Sequence, residues 1–361
     1  MQSASQSGGG LAQHARVTAY TYDPLFLEHN LPGHPENRTR LERIMASLRD
    51  ERLLDRLVLI PPRPADLALL ERVHDAAYVS ELQVFAEQGG GHIDADTYVG
   101  RRSFDAARLA AGGAAELVRA VLQGRAQNGI AFVRPPGHHA VRAGGMGFCL
   151  FNNVAVAAQV ALDEFGLQRV LIVDWDVHHG NGTQDIFYGS PQVLFFSTHQ
   201  YPYYPGTGGV GEIGAGAGRG ATVNVPLPSG VGDAGFRRIY ADILIPLVER
   251  FQPELILISA GFDAHWDDPL AGLRLSLNGF WELAQTVLAL AAQSCRGRVI
   301  AVLEGGYNLT VLSHAVADLC RALLGDAAPD PDPLGPNPWA ERGVDDVIRA
   351  VRRTHALEVG N

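Results

Sequence analysis

The chain has 361 residues, of which 47% are hydrophobic, enough apolar content for a substantial core in one large α/β domain or two ordinary ones. Its formal charge of −10 argues against an electrostatic footprint for nucleic acid and suits a cationic or neutral substrate. No run reaches the roughly 18 uninterrupted apolar residues of a membrane helix, and no basic stretch precedes an apolar signal core. Cys149, Cys295 and Cys320 are too scattered for a disulfide framework or a CxxC site. The expectation is a cytoplasmic protein with reduced, buried thiols, no membrane contact and no direct nucleic-acid partner.

Residues 1–14, rich in Ser, Gln and Gly, read as a disordered leader, with residues 15–361 forming one catalytic domain. From Ala15 onward, short β-branched runs alternate with longer amphipathic ones. Strands are expected at Val17–Tyr22, Ile130–Val133, Val170–Val173, Val193–Ser197, Ala221–Val225, Leu255–Ser259 and Val299–Leu303. Helices are expected at Phe104–Leu122, Val154–Phe165, Asp233–Arg250, Gly279–Ala292 and Leu309–Leu324. After the Pro-rich stretch Ala328–Pro338, a last helix follows near Val344–Ala356. Runs such as VLIV and LILIS are apolar at nearly every position, as a strand covered on both faces requires. The fold class is α/β, a three-layer α/β/α sandwich around a mostly parallel central sheet.

In open α/β sheets the site is built from loops beyond the carboxyl ends of strands. Four apolar runs here end in reactive residues. IAFV leads into RPPGHH with His138 and His139, and VLIV leads into DWDVHHGNG with Asp174, Asp176, His178 and His179. LILIS leads into AGFDAHWDD with Asp263 and His265, and VIAVL into EGGYN with Glu304 and Tyr307. While the chain stays extended, positions two apart face the same side, so Asp174, Asp176 and His178 can point to one centre. Asp176, His178 and Asp263 make a three-ligand set with room for water and a substrate oxygen. Its oxygen-rich donors would also accept ferrous iron or cobalt. Pro135, Pro136 and Gly137 form a stiff turn that could fix the two imidazoles, and histidine exchanges protons near neutral pH. Tyr307 follows two glycines, and its hydroxyl could donate to a developing oxyanion.

These residues resemble the histone deacetylase superfamily, which includes acetylpolyamine amidohydrolases and has the arginase-like α/β fold. The likeness runs through HPENRTRL (His34–Leu41), RPPGHHA, GFCLFNN (Gly147–Asn153), DWDVHHGNGTQDIF, YPGTG (Tyr204–Gly208), SAGFDAHWDDPLAGL and LEGGYNL (Leu303–Leu309). It implies Asp176, His178 and Asp263 as ligands of one zinc, His139 as general base and then acid, and His138 as its electrostatic partner. It also implies Asp174 as the carboxylate that orients His138, and Tyr307 as the hydrogen-bond donor that polarises the carbonyl. Phe148 would wall an acyl-lysine channel beside Gly147, with Tyr204 opposite, Leu270 at the rim and Asp96 gripping the substrate backbone. A structural potassium ion would lie beside Asp174, Asp176, His178, Ser197 and Thr198. The implied reaction is water attack on the acyl amide of a lysine side chain or small amine, with no organic cofactor; oligomeric state is unassigned.

Asn181 departs from nuclear class I relatives, which carry Asp there. It gives His139 a hydrogen bond but no charge, and so a lower basicity. Asn181, HPENRTRL and the LEGGYNL ending together make the chain resemble the class II and bacterial amidohydrolase branch more closely. Substrate choice falls to rim residues, with His34–Asn37, Tyr203 and the carboxylates Glu28, Glu36 and Asp96 as candidates. An acetylpolyamine substrate is the main alternative to acyl-lysine. Two rivals are weaker: a two-metal ureohydrolase would need further ligands such as Asp267 and Asp268, and a catalytically dead acyl-lysine reader would not need a full catalytic set. GTGGVG (Gly206–Gly211) satisfies G-x-G-x-x-G but neither follows a strand nor opens a helix, so a phosphate-binding reading fails.

Overall fold

The computed structural model describes residues 17–328 and 332–357, so the leader expected at 1–14 lies outside the described residues. The strands in chain order are β1 (Thr18–Thr21), β2 (Val58–Leu59), β3 (Gly91–His92), β4 (Tyr98–Val99) and β5 (Asn128–Ala131). They continue with β6 (Val170–Asp174), β7 (Val193–Gln200), β8 (Thr222–Leu227), β9 (Leu255–Ala260) and β10 (Val299–Leu303). Eight of them form one sheet in the order β2-β1-β5-β10-β9-β6-β7-β8, and every pairing in it is parallel. β3 and β4 form a separate antiparallel hairpin.

Every residue of β6, β7, β9 and β10 is buried, which explains the unbroken apolar runs: helices cover both faces of the sheet. Helices Ser103–Leu122 and Asn153–Asp163 pack on each other, while Arg38–Asp50, Leu277–Ser294 and Leu309–Leu324 form a second group. The three cysteines are buried and unpaired. No helix among the described residues is long and apolar enough to cross a membrane.

Strands β5, β10, β9 and β6 are consecutive neighbours. These are the four whose ends carry the reactive residues, and adjacent strands lie only about 4.8 Å apart. His138 and Tyr307, 169 positions apart in sequence (307 − 138), therefore open side by side at the carboxyl end of the sheet. Some boundaries differ from expectation. The β5 ladder ends at Ala131, two residues early, where the chain turns into PPGHH. The helix expected over Asp233–Arg250 is interrupted by a wide turn at Tyr240–Leu244. Pro246 follows at once, and its missing N–H and ring clash oppose regular winding.

Candidate active site

Each carboxylate of the predicted ligand set is aimed by backbone N–H groups from neighbouring strand ends. Asp176 Oδ2 accepts from Gly305 N at 2.9 Å and its Oδ1 from His178 N at 2.9 Å, while Asp263 Oδ1 accepts from Val177 N at 2.9 Å. The outward-facing atoms then converge: His178 Nδ1 lies 3.1 Å from Asp176 Oδ1 and 3.3 Å from Asp263 Oδ2. Asp263 Oδ2 is buried and makes no well-aligned hydrogen bond. One ligand atom from each of Asp176, His178 and Asp263 falls within 4.8 Å of the others, as a single cation needs. Burial pulls His178 down, but the adjacent carboxylates of Asp176 and Asp263 push it up to about 10. Metal ligation replaces that proton, because a ligand imidazole must be neutral. Gly305 leaves the room this requires: a Cβ there would stand 2.1 Å from Asp263 Oδ2 and 2.6 Å from Asp176 Oδ2.

The imidazole pair sits beside this set on the turn after β5, with ring centroids 4.0 Å apart. His138 Nδ1 lies 3.0 Å from Asp174 Oδ2, and a carboxylate accepts, so Nδ1 carries the proton. His139 Nδ1 lies 2.7 Å from Asn181 Oδ1, which leaves His139 Nε2 as the basic atom. The two residues are driven apart electrostatically. Burial lowers both, but Asp176 and Asp174 more than reverse this for His138 and raise it well above the usual histidine value. His139 is held well below that value by burial and by the charges of His138 and His178.

A cavity of about 240 Å³ opens over these groups, lined by Asp96, His138, His139, Gly147, Phe148, His178, Tyr203, Tyr204, Leu270 and Tyr307 among others. All five predicted channel residues are present. The Phe148 and Tyr307 rings meet edge to face at 5.8 Å, and Tyr204 stands edge-on to His139 at 5.2 Å. Gly147 has φ 55°, and a Cβ there would stand 2.4 Å from the His139 ring. A larger groove of about 780 Å³, bordered by Ile60, Arg63 and Arg119, contains none of these groups.

Ser197 is the register partner of Asp174 across β6 and β7, and Thr198 Oγ1 donates to Asp174 O at 3.4 Å. The positions named for potassium are thus gathered, although the Ser197 hydroxyl faces His199 Nδ1 at 2.9 Å. Asp267 and Asp268 do not join the ligand set. Asp268 accepts from three backbone amides, and the one three-ligand cluster among the described residues is Asp176, His178 and Asp263. The GTGGVG amides are also engaged, since Gly208 N and Gly209 N both donate to Glu212 Oε1.

The chain matches the histone deacetylase domain over residues 34–323. It belongs to the histone deacetylase family. It is 45% identical over 313 residues to a protein named "Probable deacetylase" from Archaeoglobus fulgidus, spanning 86% of this chain and 87% of that one. It is 40% identical to the chloroplastic histone deacetylase 14 of Arabidopsis thaliana, over 92% of this chain and 83% of that one. The human polyamine deacetylase HDAC10 is 43% identical, over 81% of this chain and 45% of the human protein. The crystal structure of the HDA15 HD domain superposes with a TM-score of 0.87 at 37% identity, covering 95% of both chains.

Several residues that build this histone deacetylase site have parts different from those expected of them. Glu304 Oε2 accepts from Gly137 N at 2.7 Å and His138 N at 3.2 Å, so the carboxylate pins the turn that carries both imidazoles. Glu36, expected at the rim, is instead fully buried. It pairs with Arg134 Nη2 at 2.7 Å and Arg40 Nη1 at 3.1 Å, and Arg40 also donates to the carbonyls of Glu304 and Gly306. Its cue in the sequence is the i, i+4 spacing of Glu36 and Arg40. His34 holds the hairpin through Asp96 O at 2.9 Å, whereas Glu28 is exposed and does not line the cavity.

Proposed function

We propose that the chain is a zinc-dependent amidohydrolase that removes acetyl or similar short acyl groups from lysine side chains. The observation that carries this reading is the convergence of a three-ligand cluster, an imidazole pair of divergent basicity and Tyr307 on one narrow cavity. Zinc held by Asp176, His178 and Asp263 would supply Lewis acidity and an activated water, and ferrous iron or cobalt would suit the same donors. The chain's own groups do the rest. His139 Nε2 takes a proton from the attacking water, with its ring held by Asn181. His138, kept charged against Asp174, offsets the negative charge that develops, and the pair returns a proton to the leaving amine. Tyr307 donates its hydroxyl hydrogen to the oxyanion. Burial raises Tyr307 well above the usual phenol value, so that hydrogen is retained at neutral pH.

Phe148 and Tyr204 would flank the aliphatic stem of the acyl-lysine, and Asp96 would accept from the substrate backbone at the mouth. A potassium ion beside Asp174 and Ser197 would brace β6 against β7. Leu270 favours lysine in a polypeptide over a polyamine, because a second ammonium would meet an apolar side chain there. Asp96, a carboxylate lining the cavity, favours the polyamine alternative. Hydrolysis of matched acetyl-lysine peptides and acetylpolyamines by the zinc-loaded chain decides between them. Tyr307→Phe tests the mechanism: turnover should fall about 10²–10³-fold with zinc retained, and near-full activity would refute the tyrosine's role.

A further inference from the structure

Asp268 stands outside the set just described, yet its carboxylate ties two parts of the site together. It is buried, on the loop after β9, and uses both oxygens. Oδ2 accepts from Tyr307 N at 2.8 Å and Asn308 N at 3.2 Å, across from the loop after β10. Oδ1 accepts from Leu270 N at 2.9 Å, within its own loop. One side chain therefore fixes the backbone of Tyr307 and the backbone of the rim residue Leu270. The Tyr203 hydroxyl donates to Leu270 O, which extends the tie across the mouth of the cavity.

The peptide between Gly306 and Tyr307 is held from both sides, its carbonyl by Arg40 Nε at 2.7 Å and its N–H by Asp268. The preceding residue, Gly306, has φ 119°, a backbone conformation that favours glycine, so the tyrosine's placement depends on these two hydrogen bonds and not on a side chain at 306. The helix that follows starts only at Leu309, capped by Asn308. Asn308 Nδ2 reaches back to Asp267 O at 3.0 Å and Asp267 Oδ2 at 2.9 Å, a second and more exposed link between the same loops. Displacing a reacting group by about 1 Å can cost 10²-fold in rate, so an anchor of this kind has kinetic weight.

We infer that Asp268 is a positioning residue that holds Tyr307 against the reacting carbonyl and couples the tyrosine to the rim at Leu270. The inference rests on the amidohydrolase reading, in which Tyr307 is the oxyanion donor. Asparagine at position 268 matches the shape of aspartate but turns an NH₂ toward one set of amide donors, so that set loses its acceptor.

The test is a double-mutant cycle on the full zinc-loaded chain, with thermal unfolding and bound zinc measured for every variant. Asp268→Asn should lower kcat on an acetyl-lysine peptide about 10–100-fold, and in the Tyr307→Phe background the same change should cost less than 3-fold. A residue that merely stabilises the fold would lower activity equally in both backgrounds. Asp267→Asn, on the exposed link, should stay within 2-fold. If the asparagine variant does not fold, Asp268→Glu, which keeps the charge but displaces the acceptor, enters the same cycle with the same expectation. Equal losses in both backgrounds, or kcat within 2-fold of wild type, overturn the inference and leave the amidohydrolase reading standing. That reading falls separately if the wild-type chain cleaves no acyl amide or if Tyr307→Phe retains full activity, and the inference falls with it.

Discussion

The side chain of Asn181 accepts a hydrogen bond from His139 Nδ1 across 2.7 Å, so the proposed base leans on a neutral partner. Its neighbour His138 leans on the carboxylate of Asp174 at 3.0 Å. Asn181→Asp would give His139 a charged partner and favour its protonated form. Because a general base works when neutral, the acid limb of kcat/KM should move to higher pH, by about one unit. Comparing pH profiles of the two enzymes checks this, and coincident limbs would count against His139 as the proton acceptor.

Gly305 is predicted to control metal affinity. A methyl group there must push on Asp263 Oδ2 or Asp176 Oδ2, the atoms nearest to it. Gly305→Ala should weaken zinc binding about 10–100-fold, the loss typical when a ligand's support is disturbed. Competition with a chelator measures this without reference to turnover. Unaltered affinity would mean that the carboxylates are not held where the structure has them.

Glu36 carries the largest predicted stability effect. Burial would raise its carboxyl, but the charges of Arg134 and Arg40 prevail and hold it down, from 4.5 to about 2. A depressed folded value means that the contribution is complete above pH 4.5 and is lost as pH falls toward 2. Glu36→Gln leaves two buried guanidinium groups without their counter-charge and should cost about 3–5 kcal/mol at neutral pH. In urea titrations, the gap between wild type and variant should narrow only in the acid window. A gap independent of pH would show that the carboxylate's charge is not the source.

Leu270 is predicted to set substrate preference. Leu270→Glu places a carboxylate at the mouth, where it can meet the distant ammonium of an acetylated polyamine. The ratio of kcat/KM for acetylpolyamine over acetyl-lysine peptide should rise about 10-fold, the scale of one added charge pair of about 1.4 kcal/mol in a partly buried site. An unchanged ratio would place the selectivity elsewhere on the rim.

The parts of this account legible in the sequence share a physical cause. β6, β9 and β10 are buried on both faces, so their apolar runs were unmistakable, and the polar residue ending each run marked the sheet edge. β2 was missed because it contributes two residues, Val58 and Leu59, each 46% exposed, and so has no periodicity to read. β3 and β4 were missed for the same brevity, and with them the hairpin that brings Asp96 to the cavity. Adjacency of β5, β10, β9 and β6 is a property of the winding, which no local pattern encodes. Glu36 was misjudged as a rim group because Arg134, the partner it binds through both carboxylate oxygens, lies 98 positions away in sequence. Acidic residues in a loop are usually solvated, and only long-range pairing revealed this one as buried.

Metal dependence is tested most directly by pairing metal analysis with hydrolysis of an acetyl-lysine peptide by the purified chain, before and after treatment with a chelator. The expected result is one zinc ion per chain, amide cleavage that disappears when the metal is stripped and returns when zinc is restored, and no zinc retained by an Asp176→Ala, Asp263→Ala double variant. Cleavage that survives complete removal of the metal, or two metal ions per chain, would contradict it.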